Sequence, residues 1–292
     1  MKSIKNILVA IDFTSADEVL LKYTELLTKK LTIGQVSFTH VVPRLDFFKT
    51  LTATGKKSWE TVWEINENVT QELMDKVHSS LPEFSGEIDC EVLEGEPLAE
   101  LLSKASATDL VLIGQREHTD NHGILARNLA RKAKGNALII PEKSTTNVGK
   151  VLVPIDFSAN SGRALQQTVD FAKALNPEVE ITVLNVFELP NLSTYQLSRT
   201  PEQFKEMIAE NTDLALDAFL KKYIPNQKVN KAIVEMDLPS TGHYIVKYAV
   251  RHGIDLIGIG AKGHSTVELL FIGSVTEKVL NYNQQIPVLI IR

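Results

Sequence analysis

Two stretches of this chain are near copies of each other, lying almost half a chain length apart: NILVAIDFTSADEVLLKYTELLTKKL from Asn6 and KVLVPIDFSANSGRALQQTVDFAKAL from Lys150. Each is an apolar run ending in Ile-Asp-Phe-Ser/Thr, followed by helical spacing such as Leu165, Val169, Ala172. Further on, TDLVLIGQ from Thr108 answers IDLIGIGA from Ile254, and the halves close on NALIIPE and PVLIIR. A unit of about 140 residues, the size of one domain, is therefore duplicated. The polar, Pro-bearing PEKSTTNVG reads as the linker. The expected domains are residues 1–143 and 148–292.

Within each unit, short β-branched runs alternate with longer segments of helical spacing, which argues for βαβ units and a parallel sheet. The strands expected in the first unit are KNILVAI, QVSFTHVV, EIDCEVLE, DLVLIG and NALII. In the second they are KVLVPI, EITVLNVF, KAIVEM, DLIGIG and PVLII. Their unbroken apolar character fits strands covered on both faces. The fold class is α/β: two tandem, doubly wound, five-stranded parallel-sheet domains. Ligands of such sheets gather beyond the carboxyl ends of the strands, where the winding reverses. Asp12, Gly114, Asp156 and Gly260 fall at those ends.

The charge of −5, with acids and bases interspersed, offers no basic field for a nucleic acid. Cys90 is the only cysteine, so an internal disulfide and a multi-cysteine zinc site are excluded. It is expected to act as a small buried hydrophobe. The opening apolar run ILVAI breaks at Asp12, too short for a secretory core, and no stretch approaches a membrane span. A cytoplasmic protein without a membrane partner is expected.

The stretch GAKGHSTVELLFIGS, residues 260–274, begins where an apolar strand ends. Residues 258–263, GIGAKG, match the dinucleotide pattern G-x-G-x-x-G, but its context is wrong. No acidic residue ends a following strand, and only one strand remains. A Walker loop is absent, because GKKS at 55–58 lacks the upstream glycine. Gly260 and Gly263 let the main chain approach a ligand closely. Gly273 precedes Ser274-Val275-Thr276-Glu277, a Ser-x-x-Glu capping box that would make Ser274 the N-cap of a helix. The amides and dipole of such a helix favour an anion.

The spacing G-x2-G-x9-G-S from Gly260 to Ser274, together with VPIDFS, DLIGIGAKG and GSVTEKVLNYNQQIPVLII in that order, resembles the universal stress protein family over essentially the whole chain. The resemblance implies an adenine-nucleotide α-hydrolase-like fold and an ATP site in the second unit. AMP and ADP are alternative ligands, and Mg²⁺ would accompany the nucleotide. Asp156, flanked by Pro154 and Ile155, would contact the ribose, and Val186 and Ile259 would wall the adenine. Gly260, Gly263, Gly273, Ser274, Val275 and Thr276 would cradle the phosphates through amides and hydroxyls, with Lys262 adding charge. The family pairs such units, so the resemblance implies an intramolecular pseudo-dimer, with homodimers of whole chains as a further step. The uncovered apolar edges NALIIP and PVLIIR are in keeping with this.

The first unit departs from the pattern. Gln115, Arg116 and Glu117 follow Gly114, and the same spacing gives Arg127 and Asn128 where Gly-Ser should open the last helix. One competent nucleotide site is expected, in the second half. Neither a nucleophile with its base nor a paired carboxylate is evident, so catalysis is not indicated, and the resemblance implies a stress-response regulator that responds to ATP. The rivals are a slow ATP-hydrolysing or phosphate-transferring enzyme of the same fold and an interaction module without a nucleotide. His118, Asp120 and His122 lie in a polar loop without metal-site spacing, and no metal is expected there. Trp59 and Trp63 have helical spacing and read as core; Phe47 and Phe48 would line or anchor the long connection after the second strand.

Overall fold

The structure is a computed structural model that describes residues 4–42, 57–116, 122–189, 200–236, 240–263 and 272–292. The chain divides into two compact units, residues 2–146 and 147–292. The first runs β1 (Asn6–Ala10), α1 (Ala16–Lys30), β2 (Gln35–Val42), α2 (Lys57–Ser80), β3 (Glu87–Glu94), α3 (Pro97–Ala105), β4 (Leu110–Gln115), α4 (His122–Lys132), β5 (Asn136–Pro141). The second runs β6 (Lys150–Pro154), α5 (Ala159–Leu175), β7 (Glu180–Glu188), α6 (Pro201–Tyr223), β8 (Asn230–Met236), α7 (Thr241–Arg251), β9 (Leu256–Gly260), α8 (Ser274–Tyr282), β10 (Val288–Ile291). Each of the ten expected runs forms a strand.

Within the first unit the strand order is β3-β2-β1-β4-β5, and within the second β8-β7-β6-β9-β10; the pairings in both are parallel. The winding reverses between β1 and β4, and between β6 and β9. At the opposite end of each sheet one aspartate ties the two central strands together. Asp109 accepts the amides of Lys5 and Asn6 at 2.8 and 3.0 Å, and Asp255 accepts those of Gly149 and Lys150, both at 2.8 Å. The repeated Thr/Ile-Asp-Leu thus aligns the strands whose far ends open onto the crevice.

The helices follow from their caps and apolar faces. Ser158 accepts the Ser161 amide at 3.1 Å to start α5, whose buried face includes Leu165, Val169 and Ala172. Thr200 and Gln203 form a reciprocal capping box before Pro201 at the head of α6. Gly258, which suggested a dinucleotide motif, has a packing role. A β-carbon there would overlap the side chain of Thr168, so α5 lies directly on β9.

Cys90 is half-buried in β3, more exposed than expected. Burial and the neighbouring Asp89 push its thiol up to about 11, which leaves it unreactive at neutral pH. Trp59 and Trp63 belong to α2. Phe47 and Phe48 lie outside the described residues, as do His118 and Asp120. Among the described residues no helix is long and apolar enough to cross a membrane, and no group of three histidine, cysteine or acidic side chains could hold a metal ion.

Candidate functional site

In the second unit β6 ends at Pro154, and the Ile155 amide still bonds the Leu184 carbonyl of β7 at 2.9 Å. The chain then reverses at Phe157, whose φ of 63° is left-handed. That conformation costs a bulky residue about 1–2 kcal/mol, offset locally by Asp156, whose Oδ1 accepts the Ser158 amide at 3.0 Å. The reversal sets Asp156 at the mouth of the switch point.

β9 ends at Gly260, opposite. A β-carbon on Gly263 would overlap Oδ2 of Asp156, so this glycine is required by the protein's own packing as well as by any ligand. Asn160 of α5 holds the loop by donating to the Gly263 carbonyl at 2.7 Å. The loop returns at Gly273, whose own N–H goes to the Ala261 carbonyl at 2.6 Å.

That bond corrects the expected helix start. Gly273, with φ −66° and ψ 149°, is the N-cap, and Ser274 is the first helical residue; no side-chain cap forms. The Glu277 amide makes the first helical bond, to Gly273, at 2.9 Å. The amides of Ser274, Val275 and Thr276 therefore have no partner within the helix and are available to an anion. The Gly273 amide is not. The Thr276 hydroxyl is also committed, since it is buried and donates to the Gly260 carbonyl at 2.8 Å. Thr276 pins the strand end and offers its amide, while Ser274 keeps a hydroxyl at the crevice.

These residues surround one cavity of about 310 Å³. Pro154, Ile155, Asp156, Val186, Ile259, Gly260, Gly263, Gly273, Ser274, Val275 and Thr276 all line it. Ser161, Leu184, Thr241, Ile245 and Lys262 line it too. Leu184 and Val186 share one face of β7 by strand alternation, and Thr241 and Ile245 share one face of α7. Those periodicities were the signals for Leu184, Thr241 and Ile245. One end of the cavity is an apolar slot of Ile155, Leu184, Val186, Ile245 and Ile259; the other carries amides, a hydroxyl and Lys262. Such an arrangement accepts a flat apolar group joined to an anion. The Gly273 position faces that anion end, because a β-carbon there would come within 3.7 Å of the Gly263 nitrogen.

The first unit repeats the scaffold with other side chains. Phe13 has φ 57°, and Asp12 accepts the Thr14 amide at 3.1 Å and also the Thr14 hydroxyl. His40 Nδ1 bonds the Ile11 carbonyl at 2.8 Å, as Asn185 bonds that of Ile155 at 3.0 Å. Asp17 accepts the Asp12 amide at 3.3 Å, where Ser161 accepts that of Asp156 at 3.4 Å. Asp17 is buried and paired with Lys76 at 2.9 Å. Burial raises its carboxyl above the ordinary range despite the pull of Lys76, and the charge of Asp12 adds to the rise.

The last helix of this unit differs from the reading by spacing. α4 begins at His122, so Arg127 and Asn128 sit in its interior. Leu125 and Ala126 line the first-unit cavity, as Val275 and Thr276 line the other. Ile124 and Ala126 thus stand where Ser274 and Thr276 supply hydroxyls. The loop before α4 is shorter than the one before α8, and fixed spacing counted past the helix start.

The class defined by these features is a doubly wound α/β protein with a ligand crevice at the switch point. The sequence model of the universal stress protein family matches residues 147–292. Universal stress protein YxiE of Bacillus subtilis is 30% identical over 152 residues, covering 49% of this chain and 98% of that protein. Universal stress protein MJ0577 of Methanocaldococcus jannaschii is 28% identical over 156 residues, covering 49% of this chain and 94% of its own. The crystal structure of a universal stress protein from Archaeoglobus fulgidus shares the fold, with a TM-score of 0.65 over 99% of this chain and 97% of that one at 16% identity. The chain belongs to the universal stress protein family.

Proposed function

We propose that the second unit binds an adenine nucleotide, ATP first among ATP, ADP and AMP, and that the protein is a cytoplasmic stress-response regulator controlled by that ligand. The observation that supports this most directly is the convergence of the residues named from the sequence on one cavity, with the amides of Ser274, Val275 and Thr276, which have no partner within the helix, at its polar end. The base fits between Val186 and Ile259, the ribose hydroxyls reach Asp156, and the phosphates meet the head of α8. Charge-assisted bonds from amides to phosphate are the strong ones, so the triphosphate supplies affinity and the slot supplies selectivity.

The donor set suits phosphate, since the amides of Ser274, Val275 and Thr276 lack partners within the helix and Lys262 lines the same end. Mg²⁺ bound with the nucleotide would neutralise phosphate charge. Asp156 is the one carboxylate lining the cavity among the described residues, so most of the ion's ligands would be phosphate oxygens and water. The apolar final strands of both units, β5 and β10, support association of the halves within one chain as a pseudo-dimer; sedimentation tests for homodimers of whole chains.

Titration calorimetry of the full chain with ATP, ADP and AMP tests the proposal, and mass spectrometry of nucleotide released from purified protein identifies the ligand. Affinity for ATP that is lost in Gly273→Arg is the expected result. Absence of heat with all three nucleotides at millimolar concentration overturns it. Rapid ATP turnover in a single-turnover experiment would move the reading to the enzyme.

A further inference from the structure

The first unit holds a cavity of about 190 Å³ at its own switch point, and its chemistry is opposite to that of the second. Where Ser161 and Leu184 line the second cavity, Asp17 and Thr39 line the first. Asp12 lines it as well, so two carboxylates face a space that no lysine or arginine lines among the described residues. Lys76 pairs with Asp17 and lies 5.6 Å above the Phe13 ring. Thr39 is 1% exposed, and its hydroxyl has no hydrogen-bond partner although it is buried. A buried polar group left unpaired is costly, and a ligand that bonds it recovers that loss. His40 lines the cavity too, its Nδ1 bonded to the Ile11 carbonyl at 2.8 Å, and the rest of the wall is apolar, with Ile11, Val41 and Ile113 among its members. With Leu125 and Ala126 at the head of α4, no hydroxyl of that helix lines the cavity among the described residues.

We propose that this cavity binds a small organic ammonium compound, its charge toward Asp12 and Asp17, its N–H donating to Thr39, and its short hydrocarbon body against the aliphatic wall. The volume equals that of about six water molecules in the liquid, which suits an amine of about four to six carbons. A phosphate is excluded by the two carboxylates, and a bare metal ion because no three histidine, cysteine or acidic side chains among the described residues are grouped so as to hold one. This site does not depend on what the second unit binds.

The test uses the full chain and saturation-transfer NMR with butylammonium, 1-butanol, butyrate and adenosine as probes. Butylammonium is expected to bind at about 1 mM, a limit typical of so few atoms, with 1-butanol and butyrate at least about tenfold weaker. Thr39→Val, which keeps the shape and removes the hydroxyl, should weaken butylammonium about tenfold, and Thr39→Ser should restore it. Asp12→Asn keeps the acceptor for the Thr14 turn, removes the charge and should weaken it similarly; if that variant does not fold, the Thr39 pair decides. ATP affinity should not change in either Thr39 variant. Equal binding of 1-butanol and butylammonium, binding unaltered by Thr39→Val, absence of binding, or displacement of butylammonium by adenosine each overturns the proposal.

Discussion

The two halves turn the same corner with the same device and present different chemistry beyond it. In both, Ile-Asp-Phe-Ser/Thr ends the first strand, the phenylalanine takes left-handed φ, and the aspartate caps the turn. Past that point the second unit has Ser161, Gly263, Gly273 and a helix headed by Ser274, while the first has Asp17 and a helix lined by Leu125 and Ala126. The shared scaffold geometry therefore leaves the chemistry of the crevice open. Position within the fold sets where the crevice lies, and a few side chains set what it presents.

The sharpest way to break this contrast is Gly273→Arg. It places a long side chain over the anion end, and ATP affinity in calorimetry should fall by more than about a hundredfold, the loss of roughly two charge-assisted bonds. Unchanged affinity would remove the phosphate cradle from the head of α8.

Next in size is Asp17→Ala. It strands Lys76 and the Asp12 amide in the first unit, and urea unfolding should show a loss of about 2 kcal/mol, less than a fully buried pair because Lys76 is 32% exposed. Ser161→Ala at the matching place should cost only about 1 kcal/mol. Equal losses would mean that the carboxylate–ammonium pair contributes nothing beyond the shared turn.

Thr276→Val should be milder. It removes the bond to the Gly260 carbonyl, costing about 1 kcal/mol of stability and roughly fivefold in ATP affinity as the strand end loosens. Ala126→Val in the first unit should leave ATP binding unchanged, which fluorescence titration can check.

The smallest effect is a pH slope. Asp17 has a carboxyl raised in the folded chain above 3.8, chiefly by burial. The folded state then holds its proton more tightly than the unfolded state, so its contribution favours folding in acid and is lost as pH rises from about 3.8 through the raised value. Asp17→Asn should flatten that part of the stability profile; a slope of opposite sign in the parent protein would show that Lys76 outweighs burial.

Much of this was legible in sequence because it rests on local pattern. Each strand is a short β-branched run, and duplication let one half check the other. The crevice was legible as well, since the fold rule places it at Asp156 and Gly260 and the glycine spacing marks the return at Gly273. Arg127 and Asn128 were misplaced because the loops differ in length, and a fixed count cannot see where α4 begins. Ser161 was missed because its hydroxyl looks like an ordinary helix residue until the turn at Phe157 folds the Asp156 amide onto it.

By itself, the sequence determined the duplicated α/β scaffold, the parallel strands and the end of the sheet that holds the crevice, because periodicity and turn chemistry act between near neighbours. Only the tertiary structure decided which donors remain for a ligand. The Gly273 amide goes to Ala261, the Thr276 hydroxyl to Gly260, and the Thr39 hydroxyl to nothing. Hydrogen-bond partners are set by which distant segments meet, and a donor committed to one acceptor is withdrawn from every other.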